Sequence, residues 1–105
     1  MSKLPDQYLS IKKRFSKFFT AAKNLGKVAS TAGPINAKTA QLIQLAAAAA
    51  IRSEGSVHSH AKRALDAGAK PDEIYHALIL TTSIIGFPTV SAALSWADDV
   101  IMKKE

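Results

Sequence analysis

Cysteine is missing from this 105-residue chain. Disulfides, thiolate metal sites and thiol catalysis are therefore excluded, and the redox state of the compartment leaves no mark on the sequence. No phosphate-binding loop is present, no recognition-helix signal, and no interleaved aromatics of the kind that stack on single-stranded bases. The longest apolar run, residues 45–51, is far too short to span a bilayer. The opening MSKLPDQYLS has no apolar h-region and no small-residue cleavage site, so the expected location is cytoplasmic. No segment alternates with period two, and no internal repeat or linker breaks the chain, so no sheet is expected.

What remains is 48% hydrophobic and 21% charged, which suits a folded helical domain rather than a disordered chain. At this length one core is affordable, close to the size at which self-association helps. The net charge of +6 is unevenly placed. Residues 1–27 hold seven basic side chains against Asp6, whereas residues 28–105 hold seven of each sign. Tyr8, Ile11, Phe15, Phe18, Phe19, Ala22, Leu25 and Ala29 recur at helical steps within that basic segment, and most lysines lie off their stripe. The spacing predicts one long amphipathic helix in a segment spanning 1–33, packing on a core of 34–105 within one structural domain. Binding to nucleic acid, a membrane or another anionic surface through its lysines is a third-ranked reading. Packing with solvated lysines is preferred.

Asn36 is placed to cap a second helix, with Thr39 where a full capping box would carry glutamate. Its residues 40–51 leave no wide polar face, which predicts burial on most sides. Ser53-Glu54-Gly55 makes a polar elbow, and a third helix starts near Ser56 and ends at Gly68. Pro71 with Asp72 and Glu73 opens a fourth helix that presents Ile74, Leu78, Thr81, Ile84 and Ile85 to the core until Gly86. A last helix follows Pro88, with Trp96 in its core or interface. The fold class is all-α, a bundle of about five helices joined by short loops.

Residues 37–43 (AKTAQLI), the elbow, His60 with Ala64-Leu65-Asp66-Ala67-Gly68, then Asp72-Glu73-Ile74 and Gly86-Phe87-Pro88 occur in a telling order. In that order they resemble the carboxymuconolactone decarboxylase / alkyl hydroperoxidase D family over roughly residues 35–101. The resemblance implies an all-helical fold assembled as a homotrimer or homohexamer, with a small-molecule pocket beside the elbow and no cofactor. In thiol-bearing relatives the elbow reads Cys-x-x-Cys-x-x-x-His, with a glutamate on the preceding helix. Here His60 holds the histidine position, Ser53 and Ser56 hold the cysteine positions, and Gln41 holds that of the glutamate. A serine hydroxyl does not undergo reversible two-electron oxidation, and an amide cannot relay a proton as a carboxylate does. The dithiol peroxidase route is therefore not expected. The decarboxylase branch usually has an acid one turn before the histidine, where this chain again has Ser56, with Glu54 nearby.

The candidate catalytic set is thus His60, Ser56, Ser53 and Gln41, with Glu54, His58 and His76 as candidate pocket lining. His60 would act as acid or base on a small acidic lactone or keto acid, by decarboxylation or isomerisation. The alternative is a non-catalytic binding or structural oligomer of the same fold. A serine hydrolase lacks its nucleophile elbow and orienting acid. His58 and His60, two apart, diverge on a helix, and Glu54–His58 and Glu73–His76 have helical ligand spacing but lack the second Glu-x-x-His and further carboxylates of a di-iron bundle, so no metal is expected.

Overall fold

The computed structural model describes residues 6–103. Among them are seven helices and no strand: α1 (Asp6–Arg14), α2 (Ser16–Ser30), α3 (Ala37–Ala50), α4 (Glu54–Asp66), α5 (Pro71–Ile79), α6 (Thr82–Ile85) and α7 (Phe87–Ile101). The all-α class holds, and the count exceeds five because two expected helices are each divided. None of the helices is long and apolar enough to cross a membrane. The chain forms two compact units, one running to Pro34 and one starting at Ile35.

In the N-terminal unit the long rod is interrupted at Phe15, whose φ of −130° and ψ of 58° lie outside the helical region. The reason is visible in the rings of Tyr8 and Phe19, which meet edge-on with centroids 5.0 Å apart. On a straight helix those residues would be separated by about 16 Å along the axis. The reversal gives each segment an apolar partner at little backbone cost. Phe15 N–H still bonds Ile11 O, and Phe19 N–H bonds Phe15 O, both at 2.8 Å. Gly26, the weak point in the sequence, passes through α2 without a break.

The second unit is held together by a core rich in small side chains. Leu45, Ala48 and Ala49 of α3 are buried with Val57, Ala61 and Ala64 of α4, Ile74 and Leu78 of α5, and Ala93 and Ala97 of α7. Alanine at these positions lets the α3 and α4 backbones approach closely, and theirs is the most extensive contact in the unit. The expectation of burial on most sides of α3 is corrected. Ile43, Ala47, Ala50 and Ile51 recur at helical steps on a face of α3 that is exposed, away from the helices described in the second unit. Asn36 caps α3 as expected, its Oδ1 accepting from Thr39 N–H at 2.8 Å.

The elbow is tighter than the sequence suggests. Ser53 N–H bonds Ala48 O and Arg52 N–H bonds Ala49 O, each at 3.0 Å, which closes α3 in a Schellman motif. The left-handed position is filled by Arg52, at φ 58°, rather than by glycine. Ser53 then caps α4 at once, so α4 begins at Glu54, two residues earlier than expected. Arg52→Gly is expected to raise stability by about 0.5–1 kcal/mol, since relief of the Cβ clash exceeds glycine's entropy cost; urea denaturation measures it.

The fourth expected helix divides at Leu80–Thr81. Thr81 and Thr82 donate their hydroxyls to Leu78 O (2.6 Å) and Ile79 O (2.7 Å), competing for carbonyls that would carry the helix on. The short α6 is consequently turned, and Ile84, expected in the core, is 81% exposed. Gly86 ends α6 and starts α7 with φ 89° and ψ 153°.

Candidate functional site

Two of the residues singled out by the sequence meet across the elbow. His60, on the second turn of α4, faces Gln41 on α3, with Nδ1 to Oε1 at 2.8 Å. An amide oxygen only accepts, so Nδ1 donates the proton and Nε2 is left as a lone pair. Burial, and secondarily the positive charge of Arg63 one turn along, hold the His60 pKa below the ordinary histidine value. Gln41 supplies orientation without a counter-charge, so the pair lacks the negative charge that would offset burial of an imidazolium. The ring of the unfolded chain therefore takes a proton at a higher pH than the folded ring does. Stability contributed by the neutral ring is full above the ordinary histidine pKa and declines as pH falls below it. Gln41→Glu is expected to raise the His60 pKa, because a carboxylate at that distance stabilises the charged ring; an NMR titration of the imidazole reads the shift directly.

Ser56 is half-buried and sits four residues before His60, on the same face of α4. Ser53 has a structural occupation, since its Oγ accepts from Ser56 N–H at 3.3 Å and caps the helix. His58 lies two residues from His60, about 200° around the helix, and its Nε2 is 2.9 Å from Asp99 Oδ2 on α7. Glu54 Oε2 is 4.0 Å from the same nitrogen. His76 is exposed on α5. Its neighbour Tyr75 donates to Asp98 Oδ1 at 2.7 Å, and that carboxylate raises the phenol's pKa above its ordinary value. Lys38 of α3 pairs with Glu73 of α5 at 3.0 Å, and Glu73 also accepts from Lys70 N–H at 2.9 Å. These two partners, the backbone one first, lower the Glu73 pKa.

Two residues were not singled out by the sequence. Arg63 is three residues after His60, a spacing that could have flagged a cation on the same side of α4. Asp99 lies 41 residues from His58 and left no local signal. A groove of about 380 Å³ runs elsewhere, in the N-terminal unit, lined by Lys12, Lys23 and Lys27 with Ser16, Phe19, Thr20 and Asn24.

The model of the carboxymuconolactone decarboxylase family matches the chain over residues 16–99. The match takes in α2 to α6 and most of α7, including the elbow. No curated protein matches the chain.

Proposed function

Because this chain belongs to the carboxymuconolactone decarboxylase family, we propose that its α3–α4 elbow is one wall of a small-molecule site using non-redox acid–base chemistry. The observation that carries the reading is the 2.8 Å bond from His60 to Gln41, which turns Nε2 of a neutral ring outward as a base. The substrate class is a small lactone or keto acid. Arg63 and the Ser56 hydroxyl are the groups available for its carboxylate. In an isomerisation, Nε2 takes the proton from the activated carbon and returns it to another. In a decarboxylation, Nε2 takes up a proton from water as the substrate binds and passes it to the carbon that has lost carbon dioxide, which returns the ring to its neutral form. The chain has no cysteine, so no dithiol is available to reduce a peroxide.

The site is completed by self-association as a trimer or hexamer. The apolar stripe of Ile43, Ala47, Ala50 and Ile51 on α3, left exposed by the helices of its own unit, supports this. A second reading, a binding or structural oligomer without turnover, is favoured by the engagement of Ser53 as a cap and by the amide at position 41.

A panel of small lactones and keto acids, assayed for turnover and for binding by calorimetry, separates the two. Turnover that disappears in His60→Ala, with affinity weakened about tenfold (about 1.4 kcal/mol), is the expected result. Binding without turnover selects the second reading. Activity and affinity both unchanged in His60→Ala would show that the site lies elsewhere.

A further inference from the structure

We infer that Glu54, His58 and Asp99 form a binding site for a divalent transition cation, zinc before others, on the side of α4 facing away from His60. His58 Nε2 lies 2.9 Å from Asp99 Oδ2 and 4.0 Å from Glu54 Oε2, and the three ligand atoms are all within 4.8 Å of one another. Zinc bonded at about 2.0–2.2 Å in a tetrahedron holds its donors roughly 3.3–3.5 Å apart. The observed separations bracket that value, so small rotations of two exposed carboxylates suffice to close the set.

The donor chemistry narrows the ion. One imidazole and two carboxylates make a borderline nitrogen and oxygen set, suited to zinc and its neighbours rather than to copper(I), which wants sulfur, or to calcium, which wants six or more oxygens. The two carboxylates neutralise a doubly charged ion when the ring is neutral. A fourth coordination position stays open to water, as in exchangeable and catalytic zinc sites.

The scaffold is what lifts this cluster above a chance meeting of surface charges. Glu54 and His58 are four apart on one helix, and Asp99 comes from another. The two helices meet through Val57, Ala61 and Ala64 on α4 and Ala93 and Ala97 on α7, all of them fully buried. Val57 adjoins His58, and Ala97 is two residues from Asp99, so buried packing fixes the backbone spacing of the ligands. Without an ion the same groups form an exposed side-chain hydrogen bond, which adds little to stability. With one, α4 and α7 are cross-linked close to the elbow.

The test uses the full chain after chelator treatment, titrated with zinc alone by calorimetry and followed by thermal unfolding. One zinc per chain with a raised Tm is expected, and His58→Gln and Asp99→Asn should each weaken binding at least tenfold and abolish the Tm shift. Asp66→Asn, which removes an acid further along α4, should bind as the parent does. Asp99→Asn is isosteric on an exposed face, so it keeps the test readable even if His58→Gln is poorly folded. The inference is overturned if the parent shows no saturable one-to-one binding, or if Asp99→Asn binds zinc as tightly as the parent. Neither outcome bears on His60.

Discussion

Leu45→Ala is expected to destabilise the helical core by about 2–5 kcal/mol, and by the upper half of that range. Leu45 is fully buried on α3, and among the described residues it is one of only five large side chains that are. Seven of the twelve buried apolar residues described are alanine, with no side-chain length to swing into a cavity. The void left by the missing isobutyl group would stay open, adding its cost to the lost transfer free energy. Urea denaturation at one fixed protein concentration reads the loss, the concentration being held so that any self-association contributes equally to both measurements. A cost below about 1.5 kcal/mol would mean that α3 and α4 settle together readily, contrary to a core whose contacts are already backbone-close.

Gly86→Ala should cost on the order of 1–3 kcal/mol for a different reason. At φ 89° and ψ 153° the residue sits in a region essentially reserved for glycine. A Cβ there would meet nothing closer than Pro88 Cδ at 3.8 Å, an ordinary contact. The penalty is therefore conformational rather than steric crowding. It falls where the chain can least adjust, since Gly86 N–H bonds Thr82 O to end α6 and Gly86 O accepts from Val90 N–H to begin α7. Gly55→Ala gives the contrast, because Gly55 lies within α4 with open space around it and should be neutral or slightly stabilised. Equal effects at the two positions, measured by the same denaturation, would contradict the backbone account.

The starts of α3 and α5 were readable because capping is local: Asn36 bonds a backbone N–H three residues away, and Glu73 reaches back over the same distance. The stop signal of α4 at Gly68, just past its C-cap Ala67, was readable for the same reason, its φ of 100° being one that glycine adopts freely. The splits were not. Phe15 and the Thr81–Thr82 pair lie inside unbroken helical periodicities, and what interrupts them is a ring partner in one case and hydroxyl competition in the other. Arg52 in a left-handed conformation was equally hidden, since no composition rule points to arginine there.

By itself, the sequence determined an all-helical chain without sulfur chemistry, a basic first segment beside a neutral remainder, and the order of residues that marks the family. All of these follow from residue type, spacing and count. Tertiary structure alone decided that Gln41 turns His60 by its Nδ1 and that Asp99 stands beside His58. Those meetings depend on how α3, α4 and α7 pack, and a periodicity tells which face of a helix is apolar but not which polar residues lie across from one another once the faces close.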